Sequence, residues 1–133
     1  MYLTEDAKNI REAVFIKEQG FKDEFDDIDD SAAHIVIYDN NTPVGVCRYF
    51  PDKESDTYTV GRIAVCKKYR GHHLGEYILK ITEENILKDG GCKVILAAQT
   101  HAQKFYEKYG YTAVGSIFLE EHCPHIDMQK LLK

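Results

Sequence analysis

The run from Thr59 to Gly75, TVGRIAVCKKYRGHHLG, constrains the fold more than any other part of this chain. It reads as a strand, a basic turn and the start of a helix. Lys67, Lys68, Arg70, His72 and His73 crowd the turn, although the whole chain carries a formal charge of -5. Positive charge concentrated against the global balance marks a place for an anion. A helix beginning near Leu74 aims its unpaired N–H groups and roughly half a positive charge at the same spot, as phosphate sites do.

Two well-known phosphate loops are excluded. The chain has no Gly-x-x-x-x-Gly-Lys-Ser/Thr run and no Gly-x-Gly-x-x-Gly run. Taken alone, the turn is also compatible with a merely solvated basic surface.

A length of 133 residues suits one domain, expected to span residues 1–133 and to bury a core without staples. The N-terminus carries no signal-peptide pattern and no apolar run approaches a membrane span, so a cytoplasmic location without membrane partners is the expectation. Cys47, Cys66, Cys92 and Cys123 form no Cys-x-x-Cys pair and are expected as reduced packing residues. His122, Cys123 and His125 lack a fourth donor nearby, so no metal site is expected. The acidic balance, with no basic stripe outside the turn, argues against nucleic acid as a partner.

Thr4 is placed to cap a helix whose Ala7, Ile10 and Val14 recur at helical spacing and which ends near Gly20. An acidic stretch follows, Asp23 to Asp30, with Phe25 and Ile28 as its apolar anchors. His34–Tyr38 and Val44–Phe50 flank Asn40-Asn41 as an antiparallel hairpin, and Tyr58–Cys66 is a third strand. From Leu74 a helix with Leu74, Tyr77, Ile78 and Ile81 on one face runs to Gly90-Gly91. Lys93–Ala98 is a buried strand, residues 102–109 a short helix closed by Gly110, and Tyr111–Phe118 and His125–Leu132 the last strands. The helical crossover pairs the strand ending at Cys66 with the one starting at Lys93 in parallel, inside an otherwise antiparallel α+β sheet.

Arg70 and Gly75 match the Arg/Gln-x-x-Gly-x-Gly/Ala loop of the GNAT acetyltransferase superfamily, with His73 in place of the middle glycine. The segment Leu96 to Tyr111, with Gln99, Ala102, the Phe105-Tyr106 pair and the closing Gly110-Tyr111, resembles the second conserved stretch of that superfamily. The opening VFIKEQG, the acidic loop, His34 and the closing His-Ile-x-Met are similar to a small bacterial branch.

The resemblance implies a GNAT fold: a mixed, mostly antiparallel sheet with a central splayed parallel strand pair, flanked by helices. It implies acetyl-CoA as acetyl donor, its pantetheine arm pairing with the backbone of Ile63, Ala64 and Val65, and its pyrophosphate on Arg70, Gly71, His72, His73, Leu74 and Gly75. By the same carry-over Gln99 and Ala102 border the cofactor, Tyr106 protonates or hydrogen-bonds the departing thiolate, and the Val65 N–H faces the oxyanion. Strand groups left unpaired in such a gap suit a ligand rich in amides.

The amine must also lose a proton. Glu18, Glu24, Asp29, Asp30 and His34 are the candidates for base or substrate contact, and the acidic loop would attract a cationic amine. Arg48 and Arg62 either bind a substrate carboxylate or pair with that loop. The expected activity is direct N-acetylation of a small-molecule amine, with an amino sugar or a protein amine as alternative acceptors. A noncatalytic acyl-CoA-binding module is the competing reading, and a homodimer remains open.

Overall fold

The computed structural model describes residues 2–133. Helix α1 (Glu5–Arg11) begins where the sequence places it, with the Thr4 hydroxyl accepting from the Ala7 N–H at 3.3 Å. The single helix expected up to Gly20 does not form. Residues Glu12–Glu18 widen into a π-helix, with the Gln19 N–H reaching the Val14 carbonyl at 3.0 Å. Phe15, i+8 from Ala7, joins Ala7, Ile10 and Val14 in the interior.

Strands β1 (Ala33–Asp39), β2 (Thr42–Pro51) and β3 (Thr57–Val65) follow as an antiparallel meander, with the hairpin turn at Asn40-Asn41 as expected. Helix α2 (Leu74–Lys88) crosses to β4 (Lys93–Gln99), helix α3 (Gln103–Lys108) leads back, and β5 (Thr112–Glu120) and β6 (Cys123–Leu131) close the chain. The sheet order is β1-β2-β3-β4-β6-β5, and β3 and β4 are the parallel pair. This is the predicted α+β sheet.

Two apolar clusters hold the layers together. Ile78, Leu79 and Ile86 of α2 pack on Val44, Val60, Val94 and Leu96 of the sheet, whereas Ala7, Ile10, Val14, Phe15 and Phe21 pack on Val46 and Ala64. Tyr77, expected on the packed face of α2, is exposed, and Leu79 and Thr82 take the buried stripe. Of the four thiols only Cys47 is buried; the other three are half-buried. Burial pushes the Cys47 thiol up to about 12, which leaves it inert as a nucleophile. No helix among the described residues is long and apolar enough to cross a membrane.

One irregularity positions everything that follows. The β3–β4 ladder runs from Thr57↔Lys93 to Val60↔Leu96 and stops there, while β4 stays paired to β6 as far as Gln99↔His125. Beyond Val60 the two parallel strands separate. On its other side β3 carries a bulge, because Gly61 faces Arg48 and Ala64 faces Val46, so that two residues oppose one. Arg62 sits in that bulge with φ +53°, a strained conformation for a side chain of its size.

Candidate active site

The separation of β3 and β4 opens a cavity of about 570 Å3. Its walls carry Gly61, Arg62 and Ile63 of β3, Leu96, Ala97 and Gln99 of β4, and Ala102 and Tyr106 of the segment that follows. Because the Cys66 N–H donates to the Val44 carbonyl on the β2 side at 2.8 Å, strand alternation turns the N–H and C=O of Val65 toward the open edge. The carbonyl is taken there by Arg70 Nε at 3.0 Å; the N–H stays free.

A second cavity, of about 280 Å3, lies at the start of α2 and is lined by Val65, Arg70, Gly71, His73, Leu74 and Gly75. From Gly71 to Glu76 no backbone N–H finds an acceptor among the described residues, the next donor being Tyr77 to His73 at 3.2 Å. Gly71 and His73 both have positive φ, +87° and +61°. The position at which the superfamily pattern carries glycine is therefore left-handed, and histidine occupies it under strain. Its ring is 79% exposed, with Nδ1 3.7 Å from Glu76 Oε2. Gly75 is set by contact instead: a Cβ there would stand 3.3 Å from the Phe105 ring.

Tyr106 is half-buried, edge-on to Phe105 and Tyr111 with centroids 5.1 and 5.8 Å away. Its hydroxyl makes no hydrogen bond among the described residues and opens to the cavity. Burial pushes its pKa well above the ordinary tyrosine value, so the group holds its proton. Gln99 is fixed between Gln19 Oε1, to which its amide donates at 2.8 Å, and His101 Nε2 at 2.6 Å.

The acidic loop is built differently from the expectation. Arg11, 1% exposed, donates through Nε to Glu24 Oε2 at 2.8 Å and through Nη1 to Asp29 Oδ1 at 2.7 Å. Arg48 reaches Asp26 Oδ1 at 2.6 Å and Asp29 Oδ1 at 2.9 Å, and Arg62 Nε stands 3.0 Å from Glu24 Oε2. Phe25 and Ile28, the expected anchors, are 40% and 38% exposed; the loop is anchored by this buried ion network. Burial alone would raise the pKa of Asp29, but the bonds from Arg11, the Asp26 N–H and Arg48 outweigh it and hold the carboxyl at about 2. In Glu24 burial prevails over Arg62 and Arg11, and its pKa is raised.

These contacts correct several assignments. Asp29 has no free oxygen for a substrate, and Asp30 is exposed outside the cavity. His34 is buried with Nε2 on the Asp29 carbonyl at 2.9 Å. Glu18 is bound in a bidentate pair with Arg70, away from the cavity wall. Arg48 and Arg62 border the cavity while paired with the loop, and of the proposed acids only Glu24 lines it. Among the residues at the site that escaped the sequence reading are Arg11 at the centre of the network, Gln19 against Gln99, and His125 and Glu120, which line the same cavity from β6 and β5.

A family model described as "Acetyltransferase (GNAT) domain" matches residues 3–132. The chain belongs to the GNAT acetyltransferase family. The uncharacterized N-acetyltransferase YjcF of Bacillus subtilis (strain 168) is 38% identical over 129 residues, covering 94% of this chain and 90% of that protein. The crystal structure of an N-acetyltransferase candidate from Lactobacillus plantarum superposes with a TM-score of 0.89 at 30% identity, over 96% of this chain and 90% of the other. An aminoglycoside 6'-N-acetyltransferase solved with coenzyme A shares the fold, with a TM-score of 0.78 at 15% identity over 96% and 89% of the two chains. As a GNAT protein the chain has the fold of an acyl-CoA N-acyltransferase, with β3 and β4 splayed beyond Val60.

Proposed function

We propose that this chain is an N-acetyltransferase that moves an acetyl group from acetyl-CoA directly to the primary amine of a small molecule. The observation that carries the reading is the open edge of β3: its ladder to β4 ends at Val60, and the edge beyond faces the cavity that holds the Tyr106 hydroxyl. Acetyl-CoA supplies the activated thioester. The chain's own groups bind and orient it: the backbone of Ile63 on the open edge answers its amides and the N–H groups from Gly71 to Glu76 answer its phosphates, whereas Ala64, expected to share the first task, turns its backbone groups to Val46 of β2, and the Val65 carbonyl is held by Arg70.

The Val65 N–H, free on the open edge, donates to the carbonyl oxygen as negative charge gathers on it. Tyr106 donates to the sulfur as the C–S bond breaks. Ordinary values of about 8.5 for a thiol and about 10 for a tyrosine already make full proton transfer uphill. Burial of Tyr106 makes it more so, which suits a strong hydrogen bond. The inert Cys47 gives no support to a covalent acyl-enzyme.

Acetyl-CoA at a hundredfold excess over its Kd should stabilise the fold by about 2.7 kcal/mol. Tyr106→Phe should lower kcat about tenfold to a thousandfold while leaving acetyl-CoA affinity nearly unchanged. Thiol release followed with a panel of primary amines, together with calorimetric binding, tests both. No stabilisation by acetyl-CoA removes the donor assignment, and unaltered turnover in Tyr106→Phe removes the acid.

A further inference from the structure

His125 is 4% exposed on β6, opposite Gln99 of β4 and Phe118 of β5, and it lines the cavity. Its Nδ1 lies 2.9 Å from the Cys123 carbonyl. A carbonyl oxygen only accepts, so Nδ1 carries the proton and the neutral ring keeps its lone pair on Nε2. Phe118 stacks on the ring at 5.9 Å and Phe21 meets it edge-on at 6.3 Å, which fixes its plane. Nε2 has no hydrogen-bond partner among the described residues and is not sealed off. Glu120 Oε2 stands 3.5 Å from it. An imidazole oriented through one nitrogen, open at the other and flanked by a carboxylate is the arrangement of a proton acceptor.

We propose that His125 is the general base of the transfer, taking a proton from the acceptor amine on Nε2 while Glu120 stabilises the imidazolium that results. The assignment rests on the acetyltransferase reading above. An ammonium acceptor loses two protons overall. The first passes to Nε2 and then to water. The freed nitrogen pair forms the N–C bond, the C–S bond breaks with its electron pair on sulfur, and the second proton ends on the CoA thiol. Nothing is oxidised or reduced.

The other ionisable groups on the cavity wall compete less well. Asp26, Arg48 and Arg62 are occupied with one another, and Arg11 and Arg62 share Glu24 Oε2. Glu121 accepts from the N–H groups of Lys22 and Asp23 at 2.9 and 3.0 Å. His101 is turned to Gln99. Asp23 is exposed at the rim, and Tyr106 serves the leaving group.

Two acceptors separate the base from a structural role: 1,4-diaminobutane, protonated on both nitrogens at neutral pH, and 2,2,2-trifluoroethylamine, largely neutral there, each read against an enzyme-free blank. His125→Asn keeps a donor for the Cys123 carbonyl and removes Nε2. It should lower kcat/KM for 1,4-diaminobutane about a hundredfold or more and abolish the acid limb of its pH profile. The rate with 2,2,2-trifluoroethylamine should fall less than tenfold, and acetyl-CoA affinity by calorimetry should hold. Glu120→Gln, at an exposed position, should lower only the 1,4-diaminobutane rate, by about fivefold to tenfold. Equal losses on both acceptors, or an acid limb that survives in His125→Asn, overturn the base. Parent protein that binds acetyl-CoA yet releases thiol above the blank with neither acceptor overturns the transferase reading, and the base with it.

Discussion

Arg70 grips Glu18 through both terminal nitrogens, Nη1 at 2.6 Å and Nη2 at 2.7 Å from the two carboxylate oxygens, while its Nε holds the Val65 carbonyl at 3.0 Å. The pair ties the π-helical segment to the anion turn. Arg70's hydrogen bond holds the Glu18 carboxyl below its usual range, and the same bond raises the arginine's own pKa. Both side chains are partly exposed, so the pair adds little to stability. Its effect is on the turn, where a carboxylate now neighbours the N–H groups that await phosphate and the arginine's fork is already spent.

Glu18→Gln should therefore tighten acetyl-CoA binding. The change removes a negative charge beside the phosphate cradle and releases Arg70 toward it, a gain of about threefold to fivefold at low salt. Added salt should shrink the difference. Calorimetric Kd values at two ionic strengths check this, and a weaker complex would mean that the pair shapes the turn for binding.

His73 is the next lever. At φ +61° a histidine carries a cost of about 1–2 kcal/mol that glycine avoids, offset in part by the greater freedom glycine gives the unfolded chain. His73→Gly should raise stability by about 0.5–1 kcal/mol and leave acetyl-CoA affinity within twofold. His73→Val should destabilise, because a β-branched residue tolerates that conformation worst. Urea unfolding of the three proteins gives the order directly.

The basic turn stands out because its charge contradicts the chain's balance, and Tyr106 is picked out by the resemblance of the Leu96 to Tyr111 segment; the structure puts the first at the start of α2 and the second on the cavity wall. The left-handed angle at His73 was not legible, since only the chain's path through the turn sets it. Arg11 left a signal that periodicity reasoning passed over. Positions 7, 10, 11 and 14 make one complete helical stripe, and a charge on that stripe must be buried with partners. The acidic loop supplies them, which turned an apparent substrate lure into a structural network. His125 stands in the closing His-Ile-x-Met without any local sign of a cavity around it: its neighbours arrive from β4, β5 and the Phe21 loop, and only the β6 register brings them together.

Asp29 and Asp30 should consequently part company. Asp29→Asn removes the partner of two buried arginines and should cost about 3–5 kcal/mol, whereas Asp30→Asn, on the exposed side, should stay within about 0.5 kcal/mol. Chemical denaturation of each single variant decides it. Equal, small effects would mean that the arginines find replacement partners in Glu24 and Asp26.

The same network predicts how the fold fails in acid. Asp29 has a folded pKa of about 2 against an ordinary 3.8, so its contribution is present above the ordinary value and is lost as pH falls toward 2. The difference corresponds to about 2 kcal/mol. Glu24 acts with the opposite sign: its pKa is raised by burial, so the folded state binds that proton more tightly and regains some stability as pH falls. The net acid loss should thus be smaller than Asp29 alone would give, and should fall mainly between pH 4 and 2 rather than around pH 5. Carbon-detected NMR of the Asp29 carboxyl provides a direct check. A carboxyl still ionised at pH 3 is the expected result, and one that titrates near its ordinary value would remove Asp29 as the keystone between Arg11 and Arg48.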